Sequence, residues 1–305
     1  MPARLRQTFP WFCAILLGLA GLLFPREAAA AAPLFFLSST VVLGVPHGAC
    51  DPWVPGWLLH RPSRLPFLAV FFAFYLSISF LYLLVWKAAP VAATLLFLFL
   101  TAWHWGTADA SLLFPPGLRW LMFGLGRGFW VMLGPFAFHT AEAWRVVTLM
   151  APDAGSAPSS ILFQYLLLLP FLLTLVARPN WMEWGETLLL LLLLALTPPL
   201  VGVGTYFIAF HAWRHLLRLA EIRDQLPPDQ SVRIWLHSLG RLLLFAVPLT
   251  LITLALLPAL PRFLHLHPVN AEGWVGHYLI LLAVLTLPHA LLVGWVDWKS
   301  LSLKR

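Results

Sequence analysis

Five histidines, His47, His104, His211, His215 and His289, lie inside or at the end of strongly apolar runs. An ionisable side chain is expensive at that depth, so it marks chemistry more readily than packing. Three positions carry local signatures: Pro46-His47-Gly48-Ala49-Cys50-Asp51, then His104-Trp105-Gly106-Thr107-Ala108-Asp109, then His211-Ala212-Trp213-Arg214-His215. The i, i+4 spacing of His211 and His215 puts both rings on one helix face, where they can share a metal ion. A set of neutral imidazoles suits zinc, copper, iron or nickel, and composition does not choose among them. Imidazole ligands usually donate their second N–H to a carboxylate or carbonyl. Asp51 and Asp109 follow His47 and His104 by about one turn and are placed for that role, with a solvated helix end as the alternative.

The elements that must position these residues are membrane helices. Of the 305 residues, 61% are hydrophobic and only 10% charged, whereas a soluble domain carries about 25% charged residues. Long apolar stretches recur at about 10–24, 34–46, 66–86, 90–103, 160–177, 186–210, 242–260 and 274–298, on the scale of a bilayer crossing. They are continuous rather than alternating, which argues against a transmembrane barrel. The expected fold is all-α, one polytopic integral membrane bundle of about eight to ten helices, with no soluble domain and no internal repeat. The net charge of +7 comes mainly from short connections, which reads as membrane orientation rather than nucleic-acid binding. The 16 Trp and 23 Phe suit membrane interfaces and also an apolar ligand tunnel. The two cysteines, Cys13 and Cys50, make no disulfide framework. Cys50 reads as a small buried filler, with a metal thiolate as the alternative.

Under the positive-inside rule, Arg4 and Arg6 place the N-terminus in the cytoplasm. Residues 1–32 read as a retained N-terminal membrane helix, the alternative being a signal peptide that ends in the alanine run. Residues 33–299 form the helical membrane domain that carries the site, and 300–305 a cytoplasmic tail. Helices are expected at about 34–50, 65–87, 90–110, 118–140, 160–177, 183–197, 200–220, 234–258 and 273–298. Thr197-Pro198-Pro199 separates the short seventh helix from the eighth, because proline removes a backbone donor and clashes with the preceding turn. Arg214, Arg218, Arg223 and Arg233 mark the cytoplasmic end of the eighth helix, and Lys299, Lys304 and Arg305 that of the tenth. The second, fourth, eighth and tenth helices then all run from outside to inside. At 1.5 Å per residue their five histidines fall in one layer of the cytoplasmic half, within about 8 Å of one another in depth. The protein is expected in the cell membrane with both termini cytoplasmic.

The remaining histidines read as solvated or interfacial. His139 ends the fifth helix on the outer side, His60 lies in the first inner loop, and His237 starts the ninth helix. His265, His267 and His277 belong to the outer loop region. His289, after Pro288, stands between a site-lining residue and a satisfied core histidine. Glu142, Glu183 and Glu186 lie near helix ends and read as interface residues. Gly44, Gly48 and Gly106 permit close backbone approach beside the histidines, or ordinary small-residue helix packing.

Taken together, these motifs resemble the Brp/Blh family of bacterial and archaeal β-carotene dioxygenases, the bacteriorhodopsin-related proteins. The resemblance is carried by Pro46-His47-Gly48-Ala49-x-Asp51, His104-Trp105-Gly106-x-x-Asp109, Arg127-Gly128 with Pro135 and Phe138-His139, Pro198-Pro199 followed by Tyr206-Phe207, His211-x-x-Arg214-His215, and Pro288-His289. Their order and spacing hold over about 40–298. The resemblance implies an all-helical membrane enzyme that cleaves the central 15,15′ double bond of β-carotene, or a related carotenoid, with O2 to give retinal. It implies a single Fe(II) held by four histidines, which fall here on His47, His104, His211 and His215. It implies carotenoid and O2 as substrates, membrane lipid as surroundings, and a retinal-binding rhodopsin as a further partner.

Two positions depart from the family's pattern. Cys50 stands where a larger apolar residue is more usual, and Trp105 where Phe is common; both adjoin ligands and bear on which carotenoid fits. A polyene has no polar handle, so its binding must come from apolar and aromatic walls. Trp103, Trp105, Tyr206, Phe207 and Trp213 adjoin the histidines and are candidate lining, simple packing being the alternative. Two other classes compete with this reading. A membrane di-iron hydroxylase, desaturase or ketolase needs repeated HxxxH and HxxHH boxes, whereas this chain has one HxxxH pair and no adjacent His-His. A non-enzymatic metal-binding transporter would share the broken helix and the buried histidines.

Overall fold

The computed structural model describes residues 3–302 apart from 228 and 267, and among them it holds helices and no strand. Helix α1 (Ala3–Leu23) is followed by α2 (Pro25–Ser39), which runs through a π-helical segment, Thr40–Gly44, into α3 (Val45–Ala49). A tight turn at Asp51–Trp53 precedes α4 (Val54–Leu58). Next come α5 (Leu65–Ala88), α6 (Pro90–Ala110), α7 (Leu118–Phe138), α8 (Thr140–Met150), α9 (Ser160–Leu166) and α10 (Leu168–Ala177). Helix α11 (Trp181–Leu196) gives way to α12 (Pro199–Thr205), a second π-helical segment, Tyr206–Ala212, and α13 (Trp213–Asp224). The chain closes with α14 (Val232–Ala255), α15 (Leu260–Leu264) and α16 (Ala271–Ser302).

Local chemistry explains most boundaries. Prolines open α2, α6 and α12, where the missing N–H falls in a turn that leaves it unpaired anyway. Asn180 and Glu183 form a reciprocal capping box at the start of α11. The expected break lies at Thr197-Pro198-Pro199: α11 stops at Leu196 and α12 begins at Pro199.

Eight helical stretches are long and apolar enough to cross a bilayer, from Leu5–Leu23 to Ala271–Asp297. The chain is thus an all-α, multi-pass membrane bundle. The run α12–α13 is not among the eight. It is the central element, with nearly every residue from Val201 to Leu217 buried. A helix enclosed by other helices can carry charge without meeting lipid, provided each charge finds a partner.

One element has no counterpart in the hydropathy pattern, which leaves 141–150 unassigned. Helix α8 fills it, burying Ala143, Val147 and Met150 on one face. Its signal is the amphipathic period of a short helix rather than a long apolar run. His277 also departs from expectation. It sits inside α16, buried, with Nδ1 donating to the Gly273 carbonyl at 2.8 Å. His267 lies outside the described residues, as do Lys304 and Arg305.

Helices α6 and α7 approach with almost no side chain between them. A methyl group at Gly106 would overlap the Gly124 carbonyl oxygen, and one at Gly128 the Ala102 carbonyl oxygen. This places His104 and Arg127 on two helices in backbone contact. Helix α1 lies against α11, where Trp11 donates to Glu186 at 2.8 Å.

Candidate metal centre

All five histidines named from the sequence converge. Between ring centroids, His47 is 5.4 Å from His211, 5.5 Å from His215 and 4.9 Å from His289. His104 is 4.7 Å from His211 and 4.9 Å from His289, and His215 is 5.6 Å from His289. His211 and His215 lie nearly parallel at 6.3 Å, on one helix face. Helices α3, α6, α13 and α16, with the π-helical segment before α13, thus bring their imidazoles to one point.

The two π-helical segments bear on this. The Val45 N–H bonds the Thr40 carbonyl, five residues back, just before Pro46 and His47. The Trp213 N–H bonds the Ile208 carbonyl across His211. Such widened turns shift ring positions relative to an uninterrupted α-helix and recur at functional sites. Pro46 supplies no N–H, which favours a looser turn at that place.

The donor atoms fit a metal. His47 Nδ1, His104 Nε2, both nitrogens of His211 and His289 Nε2 are buried without a hydrogen-bond partner. Each such group costs about 1–3 kcal/mol if left unsatisfied, and here they crowd together. Ligand atoms of His47, His211 and His289 all lie within 4.8 Å of one another. An all-imidazole set suits iron, zinc, copper or nickel.

The two aspartates divide. Asp51 faces His289, with Oδ2 2.8 Å and Oδ1 3.0 Å from Nδ1. Tyr75, on α5, donates its hydroxyl to the same carboxylate at 3.1 Å. Asp109 bonds away from the imidazoles, accepting from Tyr206 Oη at 2.9 Å and Arg214 Nη1 at 3.1 Å. Both carboxylates are buried rather than solvated.

Arg214 continues into a four-charge network. Its Nη2 lies 2.7 Å from Glu186, and Glu186 also forms an ion pair with Arg127 at 3.1 Å and accepts from Trp11. Two cations and two carboxylates balance. Two expectations are corrected here. Glu186 is not an interface residue, and Arg214 does not lie at an exposed helix end; both are buried. Their charge is tolerated because each is paired inside the bundle. Arg214 lies between the two histidines of α13 and its preceding segment, so the network grips the stretch that presents them. Arg218 pairs with Asp297 and Arg223 with Asp224.

An apolar cavity of about 540 Å³ adjoins the histidines, within the range of small-molecule sites. His47, His104, His289, Asp51, Trp105 and Phe207 line it, whereas Trp103, Tyr206 and Trp213 do not. Trp213 donates to the Leu5 carbonyl instead, at 2.9 Å. Trp105 stacks on Phe207 at 4.9 Å and 10°, and on His211 at 5.5 Å. Walls from α6, α7 and α8, including Phe97, Met132, Phe136, Val147 and Met150, are buried. Lining residues on α5 and at the end of α14 include exposed ones: Leu76 is 50% exposed, Ile252 60% and Leu256, just past α14, 48%. The cavity's lining thus reaches the bundle surface at those two helices.

Other candidates take structural places. Cys50 is fully buried, packed among Val54, Leu216, Trp235 and Leu239. Gly44 admits the Phe207 ring, which a Cβ there would displace, and Gly48 has only His289 Nδ1 within 4 Å of such a Cβ. His139 caps α7 and bonds the Ala195 carbonyl at 3.1 Å. The sequence reading did not single out Tyr75. Its only signal is a hydroxyl in a largely apolar helix, which Ser77, Ser79 and Tyr82 share.

Comparison with known proteins gives a family. The profile described as beta-carotene 15,15'-dioxygenase matches residues 38–297. A relative from Halobacterium salinarum, named probable beta-carotene 15,15'-dioxygenase Blh, is 32% identical over 296 residues, covering 87% of this chain and 84% of the relative. A protein of uncultured marine bacterium 66A03, named beta-carotene 15,15'-dioxygenase, is 25% identical over 270 residues, covering 85% and 92%. No solved structure matches the chain significantly.

Proposed function

This chain belongs to the beta-carotene 15,15′-dioxygenase family, and from that membership we propose that it splits β-carotene, or a related carotenoid, at the central 15,15′ double bond with O2. The bond breaks, each oxygen atom of O2 ends on one of the two carbons, and two molecules of retinal result without a further reductant. The observation that carries the reading is the convergence of five buried imidazoles, four of them with an unpartnered nitrogen, beside an apolar cavity that three of them line.

His47, His104, His211 and His215 are the residues that would hold a single Fe(II). When bound, such an ion supplies open coordination positions and the redox capacity that O2 requires. The protein's own residues do the rest. The apolar walls hold a polyene that offers no polar handle. The stacked Trp105 and Phe207 present flat faces beside the histidines, suited to a conjugated chain. The Asp109–Arg214–Glu186–Arg127 network keeps the histidine-bearing helix in register. The mouth between α5 and α14 lets the substrate enter from lipid, and retinal leaves to the same phase, where a retinal-binding rhodopsin could take it up. We place the site in the cytoplasmic half of the cell membrane, with both termini cytoplasmic.

Expression in a β-carotene-accumulating host tests this. Loss of orange colour with retinal in the extract is expected, together with a single iron per chain. Replacing His211 or His215 with Ala should abolish retinal. Activity persisting in both variants would sink the ligand assignment, and two irons per chain would favour a di-iron enzyme.

A further inference from the structure

We propose that His289 is itself a metal ligand, through Nε2, and that Asp51, held by Tyr75, is the residue that orients it. The inference rests on the metal reading above and adds a donor that the four-histidine set leaves out.

Three observations carry it. The side chains whose donor atoms fall within 4.8 Å of one another are His47, His211 and His289. So His289 belongs to a trio whose donor atoms are close enough to share one ion. Its two nitrogens are also unequal. Nδ1 is 2.8 Å from the Asp51 carboxylate, whereas Nε2 is buried with no partner. A carboxylate can only accept, so the shared proton sits on Nδ1, and in the neutral ring the lone pair is on Nε2. That lone pair belongs to a ring packed 4.9 Å from both His47 and His104. Finally, the carboxylate is itself fixed. The Tyr75 hydroxyl donates to Asp51 at 3.1 Å and lies 3.2 Å from the Leu285 carbonyl, one turn before His289 on α16.

His277 on the same helix also leaves Nε2 buried without a partner, but the unpartnered Nε2 of His289 differs in belonging to a ring packed against His47, His104 and His215. A carboxylate that holds one imidazole nitrogen while the other faces a cluster of donors is the arrangement that sets tautomer and ring orientation at metal sites. Pro288 precedes His289 within α16.

The test is metal binding, read without turnover. Wild type, His289→Ala, Asp51→Asn, and His237→Ala as an exposed-histidine control are purified in detergent and titrated with Co(II). Binding is followed by the visible absorption of the bound ion. His289→Ala should weaken binding at least tenfold and change the band pattern, because a ligand is lost. Asp51→Asn should weaken binding about 10–100-fold while leaving the bands close to wild type, because the ligand remains. Imidazole added to His289→Gly should restore the wild-type bands. His289→Gln covers the case in which the Ala variant does not fold, with the same expectation. Wild-type affinity and bands in His289→Ala, with binding lost in His47→Ala and His211→Ala, would overturn the role of His289 and leave the metal centre standing. Absence of binding in wild type would remove both.

Discussion

Asp51 and His289 are 238 positions apart in the chain, and the carboxylate Oδ2 stands 2.8 Å from the imidazole Nδ1. The contact ties the turn after α3 to the last helix and closes the ring of elements around the histidines. It is a contact between the first histidine motif and the last. The aspartate nearest His47 in sequence serves a histidine on another helix.

The four-charge network should be costly to break. Replacing Glu186 with Ala leaves Arg127 and Arg214 buried without their shared carboxylate. The expected loss is about 3–5 kcal/mol of stability, measured by denaturant unfolding in detergent. Arg145→Ala is the contrast. Its pair with Glu272 is 64% and 36% exposed, so a change of about 0–1 kcal/mol is expected. Equal losses from the two variants would mean that the buried network does not hold the bundle.

Close approach of α6 and α7 should tolerate no side chain at Gly106. A Cβ there overlaps backbone, which neither helix can move without displacing His104 or Arg127. Gly106→Val is expected to abolish the folded, monodisperse species on size-exclusion chromatography. Gly185, with nothing within 4 Å of an added Cβ, should accept Ala and gain about 0.5–1 kcal/mol from helix propensity.

The lipid-facing mouth should govern access rather than chemistry. Leu76→Trp and Ile252→Trp place bulk on the exposed rim. Retinal formation is then expected to fall most at low carotenoid loading, with iron content unchanged. A loss of iron, or an unchanged response to carotenoid loading, would place the entry elsewhere.

Trp105 should tune which carotenoid fits. Its ring stacks on Phe207 and His211 at the cavity wall. Trp105→Phe removes volume while keeping an aromatic face, so turnover of ring-substituted carotenoids should rise relative to β-carotene. Competition between the two substrates reads this directly, and an unchanged ratio with normal iron content would assign Trp105 to packing alone.

Local features of the sequence determined much of this protein. Long apolar runs dictate membrane helices because the bilayer leaves backbone groups no other partner. Thr197-Pro198-Pro199 breaks the helix where the single Pro135 and Pro288 do not, because two successive residues lack the N–H and each residue before a proline is pushed out of the α region. The five histidines stand out for the same reason that they are costly, since each is a polar group in an apolar run. The tertiary structure decided the partnerships. Asp51 and Asp109 look equivalent in spacing, yet one meets His289 and the other meets Arg214 and Tyr206. From sequence Glu186 reads as an interface charge and Arg214 as a marker of a helix end, because lipid excludes unpaired charges, and only the tertiary structure shows that they neutralise each other. Burial of a polar group depends on what remote helices bring within hydrogen-bond reach, and spacing along one helix carries no record of that.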